Sequence, residues 1–386
     1  MNKPNFLIKN HFQKRSALYS DFIHDNILRD ICQRLTQRSD YTVDFDDTGY
    51  NKGRLAELDY DGNRYFITFS ETETKQGRNY SFQSVASALN TWAIESHGQG
   101  NLYFYFLPMD GNYESAYYLF MYRLLQTIGV NFLNAGDYLS QPISNFITAD
   151  DLILTRNANR SRKASNNSSY ITIDENRTVQ IYAKTYGANK YESTIFGMAL
   201  SKLTTGNIEM YQISEGGLVE IPERSQQALD VVGNGRIKVI PTNITMEISD
   251  FNNNDSLRSP QYMYNLLSIR GAKKCAFCNC NLPEIIQGAH IWGVSQIKKA
   301  PGLSLDEKIR YATDGENGLW LCENHHKMLD SNVISINNEG RLILKSNLLQ
   351  SQRDYIESAT PITSLPNEVV SAKFRFFLSK RNIQLE

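Results

Sequence analysis

The sequence predicts a mixed α/β protein of the α+β class, with its chemistry concentrated in the last third of the chain. Alternating apolar and polar residues over 54–70, centred on Asp61-Gly62, predict a β-hairpin. Apolar residues at helical spacing over 81–96 predict an α-helix in the same region. Four of the five cysteines fall between 275 and 322, where short spacings indicate a metal site rather than disulfides.

The remaining elements follow the same patterns. We expect a helix around 20–38, in which Cys32 is a core thiol, a buried strand at LYFYFLP, and a helix over about 114–128. The aromatic residues of that last helix are interpreted as core, with base stacking as the alternative. The stretch 155–169 is polar and lacks large apolar groups, which is typical of a loop or linker. After it we expect a hairpin, a helix and a strand.

Composition excludes several classes of protein. The chain has 386 residues, of which 41% are hydrophobic and 21% charged, so it is neither disordered nor a coiled-coil rod. No apolar stretch is long enough to span a bilayer. The first residues lack the apolar core of a signal peptide, so we expect a cytoplasmic protein that does not associate with membranes.

Length favours several domains. We expect an N-terminal α/β region at 1–154, a basic linker at 155–169, a second part of that region at 170–255, and a C-terminal domain with a helical extension at 256–386. The formal net charge is −1, but residues 255–386 carry 16 Lys and Arg against 13 Asp and Glu. Any nucleic-acid surface must therefore be local.

Local basic residues are candidate phosphate contacts, because such contacts need only accessible positive charge. The alternative is that they belong to solvated loops. The candidates lie in the linker and in a later loop: Arg156, Arg160, Arg162, Lys163, Lys298 and Lys299.

Two short pairs of metal-binding residues predict a zinc site. Cys275-x-x-Cys278 forms one knuckle and Cys322-x-x-His325 the other. Three thiolates and one imidazole suit a tetrahedral zinc ion. The knuckles are 44 residues apart, so a structured segment is expected between them. Cys280 lies two residues after Cys278 and is interpreted as a non-ligand.

A second group comprises His290, Asn317, His326 and Asp330. Asp330 follows His326 by four residues, which places both on one face of a helix. A histidine and a carboxylate in this arrangement can hold a second divalent ion. His290 ends the apolar strand EIIQGAH, and Asn317 begins the strand NGLWLC.

The order His290, Asn317, His326, with the phrases GAHI, NGLWLC and HH-x-x-x-D, resembles the HNH nuclease family and its ββα-metal fold, in the branch with an added zinc-binding cysteine set. The resemblance covers about residues 274–344. It implies a C-terminal, zinc-braced ββα-metal domain.

The resemblance also implies roles for individual residues. His290 would be the general base that activates water, and Asn317 would orient His290 or help to hold the metal. His326 and Asp330 would bind the catalytic ion, Mg²⁺ or Mn²⁺, whereas the zinc ion would be structural. The sequence departs from the family at Ala289, where many members carry an acidic residue or a histidine. Coordination would then depend on His326 and Asp330 with water, or on a further residue.

The architecture is similar to that of a type II restriction endonuclease that cuts a specific sequence in double-stranded DNA. Such an enzyme is expected to act as a homodimer and to accompany a cognate DNA methyltransferase. A defence effector nuclease gated by a ligand or partner is the first alternative. A noncatalytic, zinc-stabilised DNA-binding protein is the second.

Overall fold

The protein is described from a computed structural model. The structure describes residues 3–9, 23–46, 55–70, 78–108, 113–158, 169–174, 176–185, 189–213, 220–242, 244–253 and 259–382. Over these ranges the chain is mixed α/β, which confirms the predicted fold class. Among the described helices, none is both long enough and apolar enough to cross a membrane.

The chain divides into two compact units. The N-terminal unit comprises Met1–Leu154, Ala183–Met210 and Glu215–Val239. The C-terminal unit comprises Thr155–Tyr182, Tyr211–Ser214 and Ile240–Glu386. Residues 170–182 therefore group with the C-terminal residues, whereas the sequence analysis placed them in the N-terminal region.

The first part of the chain builds a six-stranded sheet of order β2-β1-β3-β4-β5-β6. The elements up to residue 158 are β1 (Asn5–Lys9), α1 (Asp25–Thr36), β2 (Thr42–Asp46), β3 (Leu55–Tyr60), β4 (Asn63–Phe69), α2 (Arg78–Glu95), β5 (Asn101–Tyr105), α3 (Ala116–Ile128), β6 (Asn131–Phe132) and α4 (Ala149–Ala158). Cys32 is fully buried in the core that includes α1, as predicted.

The hairpin of β3 and β4 confirms the strongest turn signal. Asp61 and Gly62 have φ angles of 51° and 76°, and Tyr60 pairs with Asn63. Two consecutive positive φ angles are typical of a type I′ turn, whose twist matches that of the flanking strands.

The structure shortens two predicted helices for local reasons. Helix α1 ends at Thr36 because Gln37 adopts the left-handed conformation, with φ 60°. Helix α3 begins at Ala116 because the side chain of Ser115 caps it by accepting a hydrogen bond from the N–H of Tyr118. On α3, Phe120 and Tyr122 are buried, which supports their interpretation as core.

A four-stranded sheet of order β10-β9-β8-β7 follows. Its elements are β7 (Ser169–Ile173), β8 (Val179–Lys184), α5 (Asn189–Leu203), β9 (Ile208–Ile213), α6 (Glu223–Gly233) and β10 (Ile237–Pro241). The predicted linker 155–169 is partly regular structure, since its first four residues belong to α4 and its last begins β7. Residues 159–168 lie outside the described residues.

The last part of the chain contains a small ββα unit, in which β11 pairs antiparallel with β12 and α11 follows directly. The elements are α7 (Ile244–Asn253), α8 (Pro260–Arg270), β11 (Ile286–His290), α9 (Val294–Lys299), α10 (Leu305–Ala312), β12 (Gly318–Cys322), α11 (Glu323–Asp330), β13 (Ile334–Ile336), β14 (Leu342–Leu344), α12 (Gln350–Ala359) and α13 (Ala372–Asn382). Helices α9 and α10 fill the connection between β11 and β12.

Two glycines let α8 approach the β11–β12 hairpin. A Cβ atom at Gly288 would lie 2.7 Å from Leu266 Cδ2, and one at Gly318 would overlap the Tyr262 hydroxyl. Both clashes lie below the closest real Cβ contacts, so larger residues would push the helix away. Helix α8 therefore packs directly against this face of the β11–β12 pair.

Two arginines, the partly buried Arg270 and the buried Arg381, connect flanking helices to the ββα unit. Arg270 of α8 donates from Nε to the Gly318 carbonyl at 2.9 Å. Arg381 of α13 donates to the carbonyls of Ile291, at 3.1 Å, and of Leu329. Charged donors make strong hydrogen bonds to buried carbonyls, so α8 and α13 stabilise the unit although both lie outside the motif.

Candidate active site and metal centre

The four predicted zinc ligands converge. The sulfur atoms of Cys275, Cys278 and Cys322 and a ring nitrogen of His325 all lie within 4.8 Å of one another. Cys278 Sγ is 3.8 Å from Cys322 Sγ. His325 Nδ1 is 3.5 Å from Cys275 Sγ and 3.1 Å from Cys322 Sγ.

Two of these distances match a tetrahedral ion, and the third, between His325 Nδ1 and Cys322 Sγ, is somewhat shorter. With Zn–S near 2.3 Å and Zn–N near 2.0 Å, two sulfurs are about 3.8 Å apart and a sulfur and a nitrogen about 3.5 Å apart. Burial raises the pKa of the Cys275, Cys278 and Cys322 thiols, so thiolates here need a compensating cation. The cluster is therefore compatible with a structural zinc ion.

Polar groups around the cluster hold its ligands in place. The backbone N–H of Cys280 points at the Cys278 sulfur and that of His325 at the Cys322 sulfur, and each contact lowers the pKa of the thiol it faces. His325 Nε2 lies 3.0 Å from Thr360 Oγ1. This contact leaves Nδ1 as the metal-binding nitrogen.

Cys280 lies outside the cluster of converging ligand atoms. Its carbonyl accepts a hydrogen bond from the backbone N–H of Cys275 at 2.9 Å. This bond closes the first knuckle. Cys280 therefore shapes the turn through its backbone, in keeping with its interpretation as a non-ligand.

His290 ends β11 opposite Gly318 and is partly buried. Its ring stacks on Tyr262, with centroids 4.0 Å apart and planes at 16°. Its Nε2 lies 2.8 Å from the carbonyl oxygen of Ala312. Because a carbonyl only accepts hydrogen bonds, this nitrogen carries the proton and Nδ1 carries the lone pair.

Burial, with a smaller contribution from the charge of the nearby His326, lowers the pKa of His290 to about 4, against the opposing bond to Ala312. The imidazole is therefore neutral at pH 7. A neutral imidazole with one fixed tautomer is the form that accepts a proton.

Asn317 is fully buried. Its Oδ1 accepts from the backbone N–H of Trp292 at 2.7 Å, and its Nδ2 donates to the carbonyls of Trp292 and Tyr311, each at 3.1 Å. These bonds hold the chain just after His290 and just before Ala312, the partner of His290. The geometry favours a positioning role for Asn317 over metal binding.

His326 and Asp330 lie one turn apart on α11, with His326 Nε2 3.4 Å from Asp330 Oδ2. The other nitrogen, Nδ1, lies 3.2 Å from Gln287 Oε1 on β11. Asp330 is exposed and His326 partly exposed. Together they offer one nitrogen and one carboxylate to a divalent ion.

Ala289 is fully buried and carries no ligand atom. The structure instead brings Gln287, two residues earlier on β11, against His326. Sequence reasoning missed Gln287, Tyr262 and Thr360. Only the alternation of side chains along β11, which places Gln287 and Ala289 on one face, hinted at the first of them.

The candidate phosphate-contacting residues differ in burial and in their contacts. Arg156 lies in α4 and is 8% exposed, so burial removes it from the candidates for an accessible phosphate contact. Arg160, Arg162 and Lys163 lie outside the described residues. Lys298 packs over the Phe251 ring at 5.4 Å and lies 3.5 Å from the Asn252 carbonyl. Lys299 is exposed.

The geometry defines a ββα unit braced by a Cys₃His centre. Comparison with known families gives the same class: residues 275–337 match the family model described as HNH endonuclease. The matched segment includes every ligand of the zinc-type cluster as well as His290, Asn317, His326 and Asp330. It supports metal-dependent nuclease activity for this part of the chain. No curated protein matches the chain.

Proposed function

We propose that this protein is a metal-dependent endonuclease that hydrolyses phosphodiester bonds in double-stranded DNA. One observation carries the proposal. A neutral His290, with its tautomer set by the carbonyl of Ala312, lies at the end of β11, and the charge of His326 on α11 is close enough to lower the pKa of His290. This is a base beside a nitrogen–carboxylate pair, in a segment that matches HNH endonucleases.

Each residue has a defined part in this proposal. His290 Nδ1 accepts a proton from the attacking water, while Nε2 stays bonded to Ala312. His326 Nε2 and Asp330 would hold Mg²⁺ or Mn²⁺, and Asn317 holds the backbone around His290. When bound, the divalent ion would supply electrostatic stabilisation of the charge on the scissile phosphate and the leaving oxygen.

Digestion of a long unmethylated DNA duplex with Mg²⁺ or Mn²⁺ tests the proposal. Wild-type protein should cleave it, and His290→Ala should lose at least about 100-fold in rate, the contribution typical of a general base. His24→Ala is a matched control, because His24 is exposed and its side chain caps no helix. Equal rates for wild type and His290→Ala would refute the assignment of the base.

The more specific proposal is a type II restriction enzyme that recognises one sequence, acts as a homodimer and accompanies a cognate DNA methyltransferase. It is supported by the small size of the ββα unit relative to the folded chain around it, because such a unit needs a separate reader of bases. A cytoplasmic location stays a prediction. Discrete fragments from the same digestion would support sequence specificity.

Other digestion patterns would favour the alternatives. A metal-dependent smear, or cleavage that starts only after a small nucleotide signal is added, would favour a gated effector nuclease. DNA binding without metal-dependent cleavage would favour a noncatalytic zinc-stabilised DNA-binding protein.

A further inference from the structure

The two nitrogens of His326 contact different groups. Nδ1 lies 3.2 Å from Gln287 Oε1, and Nε2 lies 3.4 Å from Asp330 Oδ2. An amide oxygen only accepts hydrogen bonds, so the contact with Gln287 favours a proton on Nδ1. The Asp330 carboxylate also only accepts and favours a proton on Nε2, so the two contacts compete in a metal-free neutral ring, and the shorter contact is the one with Gln287. A cation on the Asp330 side needs the lone pair of Nε2, which leaves Nδ1–H for Gln287.

Gln287 comes from a different element than the pair it contacts. It lies on β11 opposite Leu321, on the same face of the strand as the fully buried Ala289. Strand β11 therefore brings no carboxylate to this face at either position. What it brings is an amide oxygen that fixes how His326 is turned.

We propose that Gln287 is the positioning residue of His326, holding it as the Nδ1–H tautomer so that Nε2 and Asp330 are presented together to a divalent cation. The ion-binding half of this inference rests on the proposed function, whereas the tautomer half does not. Partners that bond to the second nitrogen of a ligating histidine typically contribute about 10- to 100-fold in metal affinity.

The first test is the tautomer itself, measured on the zinc-loaded full chain without added Mg²⁺ or Mn²⁺. Long-range ¹H–¹⁵N spectra at pH 8 distinguish protonated from unprotonated ring nitrogens, and His326→Ala assigns the signals. Wild type should populate Nδ1–H measurably, in competition with the Nε2–H form that faces Asp330. Gln287→Met, which keeps the length of the side chain but loses the oxygen, should shift His326 toward Nε2–H. Gln287→Glu keeps an acceptor and should preserve Nδ1–H.

The second test is affinity for Mn²⁺, measured by titration of the same proteins with detection of free Mn²⁺ by electron paramagnetic resonance. Gln287→Met should bind about 10- to 100-fold more weakly than wild type. Gln99→Met, at an exposed glutamine in the turn after α2, should not change affinity.

The outcomes separate the two proposals. An unchanged His326 tautomer in Gln287→Met, or an unchanged Mn²⁺ affinity beside clear binding by wild type, would overturn the role of Gln287. If wild type binds no Mn²⁺ while the tautomer still depends on Gln287, the proposed ion site fails together with the ion-binding half. The orientation of His326 by Gln287 is then supported.

Discussion

Replacing Thr360 with valine is expected to weaken zinc binding without changing any ligand. Thr360 is 3% exposed, and its hydroxyl lies 3.0 Å from Nε2 of the buried His325. Valine has nearly the same shape but no oxygen, so the Nε2–H of a zinc-bound His325 loses its partner inside the protein. An unsatisfied buried donor costs about 1–3 kcal/mol, which corresponds to roughly 5- to 150-fold in affinity and includes the range typical of such partners.

The assay is competition for Zn²⁺ with a chromophoric chelator, using wild type, Thr360→Val, Thr360→Ser and Thr363→Val. Serine keeps the hydroxyl and should retain most of the affinity. Thr363 is exposed on the same segment, so Thr363→Val is a matched control with no expected loss. If Thr360→Val binds zinc as tightly as wild type, Thr360 does not orient His325 and the Nδ1 assignment loses its support.

Three further predictions concern stability. Asn317→Ala should lower the free energy of unfolding by about 2–3 kcal/mol in urea titrations, because three bonds to buried backbone groups are lost together. A loss below about 0.5 kcal/mol would contradict the stabilising role of these three hydrogen bonds. The pKa of His290 is about 4 in the folded chain against 6.5 ordinarily. The stability that this shift contributes to the folded state is therefore complete above pH 6.5 and is lost as the pH falls toward 4. Wild type should therefore lose up to about 3 kcal/mol more than His290→Phe over that interval, and parallel pH profiles would exclude a buried neutral imidazole. Arg381→Met should lower the melting temperature of the C-terminal unit by several degrees, as expected for about 2 kcal/mol, whereas an unchanged melting temperature would show that α13 is not a support.

The structure extends the candidate site beyond the segment that matches a known family. Thr360 follows α12, and Arg270 and Arg381 belong to α8 and α13. All three lie outside residues 275–337. Because their partners are the zinc-site histidine and backbone carbonyls of the ββα unit, a fragment cut to the matched segment should lose both zinc affinity and stability.

Local spacing was sufficient to identify most of the chemical groups. Residues three apart in a knuckle face one point, so Cys275, Cys278, Cys322 and His325 were recognisable as one ligand set, and they do converge. The same holds for the turn at Asp61-Gly62, whose positive φ angles follow from residue type. Such features depend on neighbours in the sequence, and short-range geometry is nearly independent of the rest of the fold.

The orientation and burial of these side chains depend on contacts between segments that are far apart in the chain. Arg156 was expected to face solvent but is buried, because the first four residues of the predicted linker continue α4. Each of the three site histidines has one ring nitrogen in contact with a distant residue, which leaves the other nitrogen to accept a proton or bind a metal ion. The partners of His290, His325 and His326 are Ala312, Thr360 and Gln287, which lie 22, 35 and 39 residues away along the chain. No periodicity links such distant positions. Residue types and short spacings were enough to show which groups could bind metal and accept a proton. Packing of distant segments sets how each group is turned, because a hydrogen bond requires a partner within about 3 Å whatever its place in the sequence.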